Sequence, residues 1–526
     1  MVKNRKWLSV MVVFCMTFLM ILSACSSASK DDTKAQTSSS PAASTVTPVA
    51  TEAQKPVTLK WVLYAVNKTE EFDKVFAEFN KQLQKYLPNT TVEFNVILNT
   101  EYQQKWNLIA ASGEQVDLAW TGFYIPYGDE VAKGSYLQLD DLLKKYGQDY
   151  LKEIPSWVLD LAKVDGKIYS IPSYKDMVDL KLGMRTPKDL ADKYLDRTQF
   201  ENTLTSRPGK ALRTEDYKLI EDYMAKLKEN NVLNKGISDA VFSAENKGIQ
   251  LTPNFTIPFD DKTYTVQLTP EIPAMKQYYG VMADWFKKGY IRKDVASNAN
   301  RRQDESKKDG YSLWFHTNWI GQEQAETVKA GFPVDVVNMD KNFTISVLDS
   351  SSSTAIARTS KNPERAMQLI DLMNTKKGKD LYNLLVYGIE GQHYKKVGDN
   401  RIEVINGPDN KPKYGLGKFV VGNQFNAWET TADSPGINDW VEKEANGKAI
   451  IHPIVGFKPN ISNIKNELAQ IAAISKEYTV LELGAMENWE QLYNDMITKM
   501  RTAGSEKVKA ELQKQVDAYL KGKGAK

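Results

Sequence analysis

From Val57 onward the apolar and polar positions fall into short, regular units. Val57-Thr-Leu-Lys-Trp-Val-Leu-Tyr64 alternates and then runs apolar, the pattern of a buried strand. Glu70 to Leu87 carries Phe72, Val75, Phe76, Phe79, Leu83 and Leu87 at helical spacing and stops before Pro88, which predicts an amphipathic helix. Residues 91–98 predict a second strand, 101–111 a second helix closed by Ser112-Gly113, and 116–120 a third strand. Strand, helix, strand, helix, strand at this spacing builds a parallel sheet with right-handed crossovers. In such sheets ligands sit beyond the carboxyl ends of the strands. Those ends fall at Tyr64 to Asn67 and at Trp120 to Tyr124.

Val164-Asp-Gly-Lys-Ile-Tyr169 predicts a hairpin on a primed Asp-Gly turn. It runs into Ser170-Ile-Pro-Ser-Tyr-Lys175, a polar and aromatic stretch placed to cross to another lobe. Between 185 and 300 the clearest helical patterns are 215–229 and 272–288. Arg301 to Asp309 is a mixed-charge run, read as a solvated helix face or loop. Gly310 to Trp319 reads as a short strand loaded with aromatics, and 354–357 as another brief strand. Asn362-Pro363-Glu364 then starts a helix with a capping Asn, a Pro at the first position and an acid in the first turn. A further helix over 379–386 leads into Tyr387-Gly-Ile-Glu-Gly-Gln-His-Tyr394. Residues 401–413 read as a hairpin, and 460–521 as helical segments broken at Gly484 and Gly504.

The strongly apolar run lies at the start, from Trp7 to Leu22, behind Lys3, Arg5 and Lys6. It is short for a membrane helix and has the layout of a secretory signal. The Leu22-Ser-Ala-Cys25 that ends it resembles the bacterial lipobox, in which the Cys is acylated and becomes the mature first residue. Residues 1–24 are therefore expected to be removed and Cys25 to carry lipid; a plain signal with a chance Cys is the alternative. Residues 26–56 hold almost no large apolar side chain, which predicts a flexible tether. About 30 such residues, at ~5–6 Å × √n, reach roughly 30 Å.

Composition narrows the partners. The chain has 526 residues, enough for several domains, and its 42% hydrophobic and 26% charged content is ordinary for a soluble protein. Its formal charge of +3 falls to zero once Lys3, Arg5 and Lys6 leave, which argues against a nucleic-acid partner. Of the two Cys, Cys15 leaves with the signal and Cys25 takes the lipid, so no disulfide is expected. No second apolar run approaches the ~18 residues of a membrane span. Eleven Trp and 25 Tyr supply flat rings with polar edges, suited to stacking on sugars as well as to filling a core. The three His (His316, His393, His452) show no zinc spacing. No nucleophile elbow, phosphate loop or dinucleotide fingerprint appears, and no cofactor is expected. A glycosidase carboxylate pair need not be close in sequence, so a surface glycosidase or lyase stays open as the enzyme alternative.

Taken in order, these features resemble a family-1 extracellular solute-binding lipoprotein of an ABC importer. The resemblance rests on the lipobox, the tether, the opening elements through Asp117-Leu-Ala-Trp120, and Ala111-Ser-Gly-Glu114 before them. It also rests on Asp165-Gly-Lys-Ile-Tyr-Ser-Ile-Pro172, Lys361-Asn-Pro-Glu-Arg-Ala366 and the 387–394 stretch. The last of these, with the helices from Asn488, is similar to a Gram-positive subgroup of the LipO type. The resemblance implies an α/β, two-lobe periplasmic-binding-protein-like fold with a cleft between lobes and a helical C-terminal region. Lobe 1 would comprise 57–172 plus about 345–386, and lobe 2 about 173–344 plus 387–459, with 460–526 packed on both. Crossings would lie near Ile171 to Lys175, Val337 to Ser351 and Tyr387 to Gly391. The implied protein is a monomer and not an enzyme. It would be anchored on the extracellular face of the membrane, where it hands an oligosaccharide or other small solute to permease transmembrane subunits.

Site candidates follow from strand ends and crossings. Trp120 is placed to stack on a sugar or to fill the lobe core, and Thr121 to bond a hydroxyl, with Tyr124 beside them. Tyr64 and Asn67 occupy the equivalent end of the first strand. Tyr174 and Lys175 serve cleft or hinge. Trp314 and His316 alternate onto one face. Glu390, His393 and Tyr394 would contact sugar hydroxyls or form a hinge network, and Trp428 is an additional aromatic.

Overall fold

The computed structural model describes residues 55–179, 182–205, 211–233, 236–237, 246–298, 314–317, 323–338 and 343–525. All of them lie in one compact unit, 54–526. The leader, the tether and Cys25 lie outside the described residues.

The opening pattern folds as its periodicities require. Strand β1 (Val57–Ala65) pairs in parallel with β2 (Thr90–Leu98) and with β3 (Leu118–Gly122), and the intervening helices are α1 (Glu71–Leu83) and α2 (Tyr102–Ser112). Helix α1 buries Phe72, Val75, Phe79 and Leu83 on one face, the stripe read from the sequence, but it ends at Leu83 rather than Leu87. The strand Ser352–Ile356 joins β3 antiparallel and Ile171–Pro172 closes the row, giving a sheet ordered β2, β1, β3, 352–356, 171–172. The hairpin before it pairs Lys163–Val164 with Lys167–Ile168, with Asp165 and Gly166 at φ of 49° and 77°, as a primed turn requires.

A second core lies around the helices Thr214–Glu229 and Pro273–Lys287. Beside it the strands Trp314–Thr317, Leu182–Pro187 and Val334–Asn338 form an antiparallel sheet in that spatial order. The C-terminal region supplies the helices Lys465–Glu477, Thr479–Leu483, Trp489–Thr502 and Ser505–Gly522, so the expected segments are further divided at Tyr478. Ile471, Leu481, Met500, Leu512 and Val516 bury themselves in the second core.

Four sequence expectations are corrected. Asn362 occupies the N-cap position of Pro363–Asn374, yet its side chain caps nothing; Ser360 Oγ instead accepts the Asn362 N–H at 3.2 Å. The stretch 387–459, expected in the second lobe, sends Tyr394, Ile402, Tyr414, Val420 and Trp428 into the first core. Consequently Tyr387 to Gly391 is no crossing. The first core runs on to Val178 and the second begins at Met184, so Ile171 to Lys175 also belongs to the first lobe. The chain returns between Val337 and Ile345 and crosses finally at 454–457, where Val455 packs in the first core and Ile454 and Phe457 in the second.

These crossings hold one another. Asp179 N–H donates to the Thr344 carbonyl at 2.7 Å, and its carboxylate accepts from Ser346 N–H at 2.9 Å and Ser346 Oγ at 2.7 Å. Thr344–Ile345 pairs in parallel with Ile450–Ile451.

Candidate functional site

Register fixes which edge of the first sheet faces the crossings. Gly122, at the carboxyl end of β3, pairs with Ser352 at the start of its antiparallel neighbour, and Ser353 pairs with Pro172. The outgoing chain after Pro172 and the incoming chain before Ser352 therefore attach at the carboxyl edge. Tyr64, at the end of β1, lies at the same edge.

An aromatic cluster fills that edge. Tyr64 sits at its centre, with ring centroids 4.8 Å from Trp120, 5.5 Å from Tyr124, 5.9 Å from Phe123 and 6.5 Å from Phe419. Its layers differ in exposure. Trp120 is 0% exposed and Tyr64 4%, whereas Phe123 is 52% and Tyr124 36% exposed. Burial, reinforced by Tyr124, raises the Tyr64 phenol above its ordinary pKa, so it stays a neutral hydroxyl.

Of the two readings of Trp120, stacking surface or lobe core, its complete burial fits the core. Its indole N–H donates to Ser352 Oγ at 2.8 Å, and its carbonyl accepts from Tyr102 OH at 2.7 Å. Thr121 points to the opposite face of the strand, toward the buried Tyr136 hydroxyl, and is itself buried. Strand alternation sends the two neighbours to opposite faces, and both faces are covered. Asn67 is exposed in the loop after β1. Phe123, Phe419 and Phe425 were not among the expected residues. Phe123 lies inside the Trp120 to Tyr124 run, just past the end of β3, whereas Phe419 and Phe425 come from stretches without periodicity.

Tyr174 is buried against Phe425 at 5.0 Å, and burial pushes its phenol up to about 12. Its carbonyl accepts from Gln424 N–H at 2.8 Å, so it serves to dock the 424–428 turn. Lys175 is half-buried; desolvation lowers its ammonium pKa while Asp176 and Asp349 oppose the shift. A partly desolvated cation at the sheet edge is a candidate donor to a polar solute.

Glu390, His393, Tyr394 and Trp428 form a separate group in the first lobe. His393 is buried: Nδ1 accepts the Ile389 N–H at 2.9 Å and Nε2 lies 3.2 Å from Glu71 Oε2 at the start of α1. The ring thus ties the 389–393 turn to the start of α1. Glu390 is exposed and pairs with Lys396 at 3.2 Å, whose ammonium lies 5.3 Å from the Trp428 ring centroid. Trp428 and Tyr394 are buried against each other at 5.2 Å, and burial pushes the Tyr394 phenol up to about 12. Trp314 and His316 lie on a strand of the second lobe, but their side chains, like Trp319, lie outside the described residues. Among the described residues no group of three His, Cys, Asp or Glu is placed to hold a metal, and no helix is long and apolar enough to cross a membrane.

Residues 453–521 match a family model described as a domain of unknown function, DUF3502. The chain is 26% identical to a carbohydrate ABC transporter substrate-binding protein of Streptococcus pneumoniae serotype 4, over 87% of this chain and 90% of the relative. Among solved structures it is similar to an N-glycan transport solute binding protein, NgtS, of Streptococcus pneumoniae. That match has a TM-score of 0.73 and 23% identity and covers 89% of this chain and all 100% of the other. The same protein in complex with Man5GlcNAc gives a TM-score of 0.60 at 23% identity, covering 89% and 99% of the two chains. The Streptococcus pneumoniae substrate-binding protein FusA in complex with kestose gives 0.57 at 16% identity, covering 89% and 100%. The fold is the two-lobe, α/β fold of solute-binding proteins.

Proposed function

We propose that this chain is the carbohydrate-binding component of an ABC importer, which captures an oligosaccharide between its lobes and hands it to a membrane permease. The observation that carries this reading is the exposed Phe123–Tyr124 pair over Tyr64 and Trp120, at the sheet edge where the crossings attach. Flat rings with a hydroxyl at hand suit the apolar face and polar rim of a sugar. The match to a carbohydrate importer's binding protein across nearly the whole chain supports the solute class.

Closure is a hinge motion about the crossing segments, driven by contacts the solute makes with both lobes. No bond is made or broken, and the protein works as a monomer without a cofactor. Cys25 carries the lipid that holds it on the extracellular face, and residues 26–56 tether it. Anchoring raises the local concentration of loaded protein near the permease. Melting the protein against a panel of mannose-containing N-glycan fragments, fructo-oligosaccharides and peptides tests the reading. A ligand present at 100 times its Kd stabilises by ~2.7 kcal/mol. A shift from peptides alone, or steady appearance of cleaved sugar, overturns it.

A further inference from the structure

The final crossing is gripped by the end of the last helix. Tyr519 OH donates to the Val455 carbonyl at 2.6 Å, and Lys523 Nζ donates to the same oxygen at 2.8 Å. Lys523 also pairs at 3.3 Å with Asp160, whose 156–162 turn buries Val158, Leu161 and Ala162 in the first core. Gly456, at φ +83°, lies so close to both partners that a Cβ there would stand 2.6 Å from the Asp160 carbonyl and 3.1 Å from Tyr519 OH. Two residues on, Lys458 Nζ donates to the carbonyls of Leu161 at 2.9 Å and Leu348 at 3.0 Å, tying this crossing to the first lobe and to the return crossing. Gln515, one turn before Tyr519, exchanges two bonds with the Asn460 backbone at 2.8 and 2.9 Å.

Helix 505–522 is rooted in the second core through Val508, Leu512, Val516 and Leu520, while Asp160 and Leu161 move with the first lobe. The 453–521 segment thus contains both the crossing turn and nearly all of the helix that holds it, with Lys523 just beyond its end. We propose that this C-terminal module is the hinge's positioning element: Tyr519 and Lys523, acting on Val455 and Asp160, set the resting angle between the lobes. The inference deepens the binding-protein reading and rests on its hinge closure. Tyr519 and Lys523 are positioning residues that touch no solute.

Interlobe distance measured by double electron–electron resonance tests it without any sugar. Full-length protein carrying Cys15→Ser and Cys25→Ser receives spin labels at Lys144→Cys in the first lobe and Glu229→Cys in the second. Tyr519→Phe, which keeps the ring packed on Phe457 at 5.4 Å, and Lys523→Met are compared singly and together. The expected result is a distance distribution shifted or broadened by several ångströms in the double variant. Where a sugar binds, its Kd should also change at least threefold. A distribution identical to that of the parent, in variants that melt within a degree or two of it, overturns the proposal. Failure of every sugar to bind would instead count against the carbohydrate reading, since the distance measurement needs none.

Discussion

Trp120 and Ser352, 232 residues apart in sequence, are joined by an indole N–H to hydroxyl bond of 2.8 Å, and the Ser352 hydroxyl in turn donates a hydrogen bond to the Phe419 carbonyl at 2.7 Å. The chain ties β3 to the return strand and to the loop that carries Phe419, and so fixes the floor of the aromatic edge. Trp120→Ala leaves a large cavity and strips Ser352 of a partner. Loss of about 3–5 kcal/mol is expected, the range for a buried aromatic truncated to Ala. Chemical denaturation checks it, and a loss under about 1 kcal/mol would return Trp120 to the surface.

Phe123→Ala and Tyr124→Ala act in the opposite sense. Both side chains are substantially exposed, so each change should move stability by no more than about 0.5 kcal/mol. Sugar affinity should fall about two- to tenfold for each, since a packed ring contributes on the order of 0.5–1.5 kcal/mol. Equilibrium titration of the two variants reads this directly.

The contrast between these residues shows what the sequence can and cannot reveal. Period-2 and period-3.6 patterns place β1, α1, β2, α2 and β3 within a few residues, because those periods are imposed by which face is buried. They also place Trp120 at the right strand end. Depth is different: whether a Trp at a strand end lies under or over its neighbours depends on Tyr64, Ser352 and Phe419 arriving from distant segments. Two of the three expected crossings differ for the same reason, while the one near Val337 to Ser351 coincides with the return between Val337 and Ile345. Tyr387 to Tyr394 looks like a Gly-flanked joint, but Tyr387, Tyr394 and Trp428 bury themselves together, and nothing local in the chain announces that pairing. The true third crossing at 454–457 has no composition signal.

His393 offers a test of structural against ligand-contacting roles. Removing its ring leaves the Ile389 N–H without its acceptor, while Glu71 keeps its Lys74 partner at 2.9 Å. His393→Ala should cost about 1–3 kcal/mol, the penalty of leaving a buried group unpaired. Sugar affinity, measured below the lowered melting temperature, should stay within about twofold.

Lys458 predicts a pH signature. Burial pushes its ammonium down to about 8, with Asp349 opposing the shift and the Tyr127 ring facing it at 5.7 Å. In the unfolded chain a Lys titrates at about 10.4, so between these values the unfolded state holds more protons and stability rises with pH. Below about 8 both states are charged and the burial penalty is present in full. The stability of the parent relative to Lys458→Met should therefore climb as pH goes from 7.5 to 10, other titrations cancelling in the difference. Urea titrations at four pH values across that window read it, and a flat difference contradicts the assignment.

Calorimetric titration of the protein with a mannose-containing N-glycan fragment or a fructo-oligosaccharide, run beside the same sugars analysed for breakdown, bears most directly on the central claim. The account predicts saturable binding at one site per chain, abolished or strongly weakened in the Phe123→Ala, Tyr124→Ala double variant, with the sugar recovered intact. No heat from any oligosaccharide, or recovery of shortened sugar, would contradict it.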